Sequence, residues 1–138
     1  MLRFVMLFTL LGALSCATPT STEPAAEPDL SGRWDVTRIA GDDVIEGSPC
    51  FLEFQTDGRV NGSGSVNHFA GSYDLAGAAL SFSPLAATKR AGPVPLMNQE
   101  QALFTALGEV AIASRIGDTL RLLAVDGREL VVAERGAE

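Results

Sequence analysis

From Leu30 onward the chain is broken into short runs rich in apolar and β-branched residues, each closed by a turn signal. The runs are Arg33–Ile39, Phe51–Gln55, Arg59–Ser65, Phe69–Leu75, Ala79–Ser83, Val110–Ile116, Thr119–Leu123 and Arg128–Ala133. Between them stand Asp57-Gly58, Ala76-Gly77, Gly117-Asp118 and Asp126-Gly127. Glycine and aspartate tolerate the positive φ of tight turns, so Asp-Gly between strand-like runs is a strong hairpin signal. Most of this region therefore reads as an antiparallel meander.

One stretch departs from that pattern. From Pro95 to Leu107 (PLMNQEQALFTAL) apolar residues recur at Leu96, Met97, Leu103, Phe104 and Leu107, close to helical spacing. Pro95 suits a first helical position and Gly108 a C-terminal cap. So short a helix is unstable alone, and its apolar face is expected to close one side of the sheet. The expected fold is mainly β (α+β): an antiparallel barrel or half-barrel plugged by one helix at about residues 95–107.

The N-terminal region has a different texture. Met1-Leu2-Arg3 is a short positive start, and Phe4–Ser15 runs apolar over less than the roughly 20 residues a membrane span requires. Residues 1–15 thus have the form of a secretory leader. Ala13-Leu14-Ser15-Cys16 resembles a lipobox, the cleavage and acylation signal of bacterial lipoproteins. Ala13 stands where leucine is commoner, and Ala13-x-Ser15 also suits an ordinary signal peptidase. Acylation of Cys16 is the favoured reading, because the cysteine falls where the apolar run ends. Residues 17–29 (ATPTSTEPAAEPD) follow with three prolines and no large apolar side chain, a composition expected to stay flexible. The expected organisation is a leader over 1–15, a lipidated cysteine and tether over 16–29, and one domain over 30–135.

Charge restricts the partners. The net charge is −7, which repels phosphate and disfavours nucleic acid. It also weakens contact with anionic headgroups, so attachment to a membrane requires a covalent anchor of several acyl chains. Ala17, where an aspartate would resemble an inner-membrane retention signal, points to the periplasmic face of the outer membrane.

Reactive groups are few. His68 is the single histidine and lies in no metal-ligand pattern. Neither a G-x-S-x-G elbow nor a phosphate-binding loop occurs, and Gly62-Ser63-Gly64 reads as strand or bulge. The carboxylates Asp42, Asp43, Glu46, Asp57, Asp74, Glu100, Glu109, Asp118 and Asp126 fall mostly in or beside turns, where aspartate supports local backbone. Cys50 reads as a small buried hydrophobe; the sharper alternative is a redox-sensitive or intermolecularly pairing thiol. No catalytic residue, metal ligand or cofactor is expected. An enzyme would need paired carboxylates, or Cys50 and His68, gathered in one cleft.

Several segments together resemble the META domain, known from heat-inducible HslJ-type envelope lipoproteins. Gly32-Arg33-Trp34-Asp35-Val36 is similar to the opening G-x-W strand, and Phe54–Gly64 (FQTDGRVNGSG) to the family's D-G-R hairpin. Asn67–Tyr73 (NHFAGSY) is similar to its N-x-F-x-G-x-Y signature. Leu80–Leu85, Thr88-Lys89-Arg90, Met97–Leu107, Thr119–Leu123 and Asp126-Gly127-Arg128 follow in the family's order. Val66 and Gly92 stand where many relatives carry cysteine, so any role of that pair is absent here.

The resemblance implies an eight-stranded, partly open β-barrel with one helix and an association with envelope stress and drug tolerance. It brings no established reaction. Trp34, Asn67, Phe69, Gly71 and Tyr73 are its candidate binding residues, and each also has a packing explanation. The leading functional expectation is a non-catalytic envelope lipoprotein acting through other envelope proteins. The competing one is a carrier holding an acyl chain or apolar peptide inside the half-barrel. A cavity beside Phe104 would favour the carrier and a filled interior the first reading.

Overall fold

The computed structural model describes residues 26–137. The leader, Cys16 and most of the tether lie outside them. In chain order the elements are β1 (Gly32–Ile39), β2 (Asp42–Asp43), β3 (Cys50–Phe54), β4 (Arg59–Gly64), β5 (His68–Ala76), β6 (Ala79–Phe82), β7 (Ala86–Ala87), α1 (Val94–Glu109), β8 (Ile112–Ile116), β9 (Thr119–Leu123) and β10 (Glu129–Arg135). Eight of these run antiparallel around a ring, β1-β3-β4-β5-β6-β8-β9-β10, which the pairing of β10 with β1 closes. The expected β-barrel with one helix is thus what forms.

The turns set the register. Between β3 and β4, Gly58 takes φ 86° and the Asp57 carboxylate accepts the Arg59 amide at 3.1 Å. That geometry aligns Phe54 with Val60 and, further along, Cys50 with Gly64. A one-residue slip would turn every inward side chain outward. The inward set is instead consistent: Trp34, Leu52, Phe54, Val60, Leu80, Leu120, Leu122 and Val131 are all buried.

The ring is uneven. β6 meets β8 through a single residue pair, Ala79 opposite Ile112, held by Leu80 N–H to Ala111 O at 3.0 Å and Ala113 N–H to Ala78 O at 2.8 Å. Beyond Phe82 the chain leaves this seam and crosses back to β5 as a strap. There β7 pairs with Phe69 and Ala70. Neither β2 nor β7 shows in the sequence as a strand, since each has only two residues and contributes no buried side chain.

Helix α1 packs across β1, β4 and β10, burying Glu100, Leu103, Ala106 and Leu107. It begins at Val94, one residue earlier than the spacing predicts, with Pro93 at the N-cap and Pro95 at the second helical position. Both prolines lack an N–H that the first turn would leave unbonded anyway. The expected cap at Gly108 does not form. The helix continues through Glu109 and leaves by Val110 in extended conformation, φ −62° and ψ 131°. A buried Val110 leads straight into β8, so no left-handed residue is needed.

At the opposite end, residues 27–31 lie across the barrel mouth. Leu30 is buried, the Glu27 carboxylate accepts the Gly77 amide at 3.2 Å, and Arg115 donates to the Asp29 carbonyl at 2.7 Å. The last residues of the tether sequence are therefore engaged by the domain.

Candidate functional site

The signature residues occupy two separate parts of the barrel. Trp34, from β1, is fully buried and donates its indole N–H to Leu30 O at 2.8 Å. The Arg135 guanidinium sits 4.1 Å from its ring and also donates to Ser31 O. Tyr73, from β5, meets Phe54 edge-on at 5.0 Å and donates its hydroxyl to Gln55 O at 2.7 Å. Burial, then the charges of Asp57, Asp29 and Glu27, push the Tyr73 phenol up. Both residues hold loops against the barrel mouth.

Asn67, Phe69 and Gly71 lie on the side facing α1 and the strap. Phe69 meets Phe104 of α1 edge-on at 5.5 Å. Gly71 leaves room for the strap: a Cβ there would stand 2.7 Å from the Leu85 side chain. Asn67 ties the three elements together. Its Nδ2 donates to Glu100 Oε1 at 2.6 Å and to Arg90 O at 3.2 Å. Its Oδ1 accepts from Arg90 N at 2.6 Å and Thr88 Oγ1 at 2.9 Å.

Glu100 is the partner that sequence reading missed. It projects from the buried face of α1, and Oε2 accepts the amides of Val66 at 3.1 Å and Asn67 at 2.6 Å. Both oxygens therefore act only as acceptors, the role of an ionised carboxylate. The turn it holds is unusual, because Ser65 has φ 118°. Gly64 is required beside it, since a Cβ would stand 2.7 Å from Glu100 Cγ. The signal was present: Glu100 falls four residues after Leu96 and three before Leu103, on the apolar stripe of the helix. An acidic residue at such a position needs a buried partner.

The other candidates stand apart. Cys50 is buried, facing inward from β3, while its neighbour Phe51 faces outward under the Arg33 guanidinium at 3.9 Å. Burial raises the Cys50 thiol from its ordinary 9.0 to about 12, the Glu100 charge adds to the rise, and a bond with Ser65 opposes it. Such a thiol is a poor nucleophile. His68 points outward, exposed, on the face of β5 opposite to Asn67 and Phe69. Among the described residues no three His, Cys, Asp or Glu side chains gather as a metal site, and no buried side-chain polar atom lacks a partner.

Two adjoining spaces lie beside this network, between α1 and the strap, and Phe104 lines both; together they form a groove. The first, near the β6–β8 seam, has a volume of about 440 Å³ and an apolar lining that includes Phe82, Leu85, Phe104 and Leu107. The second has a volume of about 490 Å³ and is bordered by Thr88, Lys89, Arg90, Met97 and Gln101. The barrel interior itself is occupied by Trp34, Leu52, Phe54, Leu80, Leu103, Leu120 and Leu122, none more than 2% exposed.

Comparisons with known proteins agree with this architecture. The model of the META domain family matches residues 27–137. A protein from Burkholderia xenovorans, solved by NMR, aligns with a TM-score of 0.62 at 20% identity, covering 99% of this chain and 100% of that one. A DUF4847 family protein from Bacteroides vulgatus, solved by crystallography, gives 0.60 at 13% identity over 78% and 94%. At these identities the likeness is one of fold. No curated protein matches the chain.

Proposed function

Since the chain belongs to the META domain family, we propose that it is a non-catalytic protein of the bacterial cell envelope that works by binding other envelope proteins. In this reading the leader directs export, acylation of Cys16 supplies the anchor, and the acidic tether region sets the domain off the membrane. The role is one in envelope stress or drug tolerance.

The observation that carries the binding part is where the polar groups of the signature are used. Asn67 and Glu100 each spend both side-chain polar atoms inside the protein, and Trp34 and Tyr73 each bond a loop carbonyl. What remains for a partner is surface, chiefly the groove along α1. The filled interior supports interaction over carriage of an acyl chain within the barrel, while the apolar space beside Phe104 favours the carrier reading, with the chain held along α1 instead of inside the ring.

The anchor is tested by the intact mass of membrane-extracted protein beside that of a Cys16→Ser variant. A diacylglyceryl and an acyl group above the mass of residues 16–138, absent from the variant, is the expected result. An unmodified chain recovered free from the periplasm overturns the anchored reading. A deletion strain complemented by the wild-type chain but not by Cys16→Ser, scored for survival under envelope-damaging conditions, tests the physiological role.

A further inference from the structure

The groove beside α1 has three properties that together define an occupant. Its helical wall is a single face: Met97, Gln101, Phe104 and Gly108 are spaced by four, three and four residues. Eleven residues of helix rise about 16 Å. An extended chain advances about 3.3 Å per residue, so the wall matches about five residues of strand.

The facing wall offers main-chain bonding. β7 pairs with β5 and with no other strand. Thr88 N–H donates to His68 O at 3.0 Å, and the neighbouring pair is Ala87 with Phe69. In an antiparallel ladder bonded and non-bonded pairs alternate, so the amide and carbonyl of Ala87 turn away from β5, and Ala87 itself lines the groove. A peptide can use such an edge and an acyl chain cannot. Neither of the two spaces is enclosed, whereas small ligands are usually enclosed on most of their surface.

Charge fixes the orientation. In this acidic chain, Arg33, Arg38, Arg59, Arg115, Arg121 and Arg128 are each within 4 Å of a carboxylate. Arg135 is stacked on Trp34 and bonded to Ser31 O. Among the described residues, Lys89 and Arg90 have no acidic partner, and both are exposed at one end of the groove. Glu100 borders the same end, but its oxygens are taken by Val66 and Asn67. Adjacent cations at the end, rather than spread along the groove, match a charge at the end of the occupant. A chain terminus carries one whatever its side chains are.

We propose that this groove docks the C-terminal residues of a partner protein, about five in extended conformation. They add to the free edge of the strap, place alternate apolar side chains against Leu85 and Phe104, and set the terminal carboxylate beside Lys89 and Arg90. This deepens the reading of the domain as a protein-binding module. It is tested on purified chain, so its failure leaves the anchor and the survival experiment untouched.

The test is selection of random heptapeptides, displayed with free C-termini, on the full chain and on the K89E/R90E double variant. Both side chains are exposed, and neither forms an ion pair or a side-chain hydrogen bond among the described residues, so the variant should melt close to the wild-type temperature. Selected peptides with alternating apolar residues are expected. Once synthesised, they should lose about tenfold in affinity on C-terminal amidation or on charge reversal. Amide shifts on binding should fall on Phe82–Ala91 and Met97–Gly108. The proposal is overturned if no peptide is enriched on wild type over the variant, if amidated and free peptides bind alike, or if the shifts fall elsewhere. Saturable binding of dodecanoate at these residues without any selected peptide would assign the groove to an acyl chain and overturn it too.

Discussion

Replacing Glu100 by glutamine isolates the polar network that joins α1, the strap and the start of β5. The substitution keeps volume and shape and changes only one oxygen to an NH₂. In the native arrangement Oε1 accepts from Asn67 Nδ2 at 2.6 Å, and Oε2 accepts from the amides of Val66 and Asn67. The new NH₂ must face either the Asn67 amide group or those two backbone N–H groups, donor against donor in both cases. Turning the Asn67 side chain over does not relieve this. Its oxygen would then leave Arg90 N and Thr88 Oγ1, which it accepts at 2.6 and 2.9 Å.

The magnitude follows from what is lost. A hydrogen bond to a charged group contributes about 1.5–3 kcal/mol, and a buried donor left without a partner costs about 1–3 kcal/mol. Glu100→Gln loses at least one such bond and is expected to destabilise the domain by about 2–3 kcal/mol. Glu100→Leu strands all three donors and should cost about 4 kcal/mol, since each buried donor left without a partner costs about 1–3 kcal/mol. Urea unfolding of the full chain, followed by far-ultraviolet circular dichroism, measures both. The slope should stay constant while the midpoint falls. Glu134→Gln serves as a control, since Glu134 is exposed, and should stay within about 0.5 kcal/mol. A Glu100→Gln midpoint equal to that of the control would refute the reasoning. It would mean that water, not the carboxylate, satisfies the Ser65–Asn67 turn.

Gly64→Ala should destabilise by about 1–3 kcal/mol, because the added methyl meets Glu100 Cγ at 2.7 Å; thermal melting decides it, and an unchanged melting temperature would show that α1 shifts freely. In the Cys16→Ser variant, Cys50 should resist a thiol reagent at pH 8 and react only as the chain unfolds in urea, since its folded value near 12 leaves it protonated; rapid labelling in native buffer would refute this. Because that value lies above the 9.0 of an unperturbed cysteine, the thiol's contribution is complete below pH 9 and shrinks as pH rises towards 12. The stability difference between wild type and Cys50→Val should therefore narrow across that interval and stay flat below it. Tyr73→Phe should cost about 1 kcal/mol through loss of the bond to Gln55 O, seen as a lower urea midpoint.

The strands were legible because their information is local. An Asp-Gly turn and a period-two pattern act over a few residues, and Asp57-Gly58 alone aligns β3 with β4. The strap was not legible for the opposite reason. Ala86 and Ala87 carry no pattern of their own and are placed by the fit of Leu85 over Gly71 and by the bonds of Asn67 to Thr88 and Arg90. Glu100 was overlooked among many carboxylates because its position on the helix stripe matters only once the helix has a partner. The motif offers Asn67 as a candidate binding residue; in the fold its side chain joins α1 to the strap through Glu100, Thr88 and Arg90.

Gly108 shows how a local rule fails and how that failure is measured. Glycine after the last apolar residue of a helix ordinarily marks a left-handed cap, where alanine is strained. Here Gly108 lies inside α1, outside the positive-φ set, and a Cβ built on it meets nothing within 4 Å. What ends the helix is tertiary: Val110 must be buried to begin β8, and that need overrides the capping signal. Gly108→Ala should then stabilise the domain by about 0.5–1 kcal/mol, because alanine gives up less backbone freedom on folding. The melting temperature should rise by a few degrees. A fall of similar size would place Gly108 back at a cap and the end of α1 two residues earlier. The groove wall would then lose its last turn and hold one residue fewer of any extended partner.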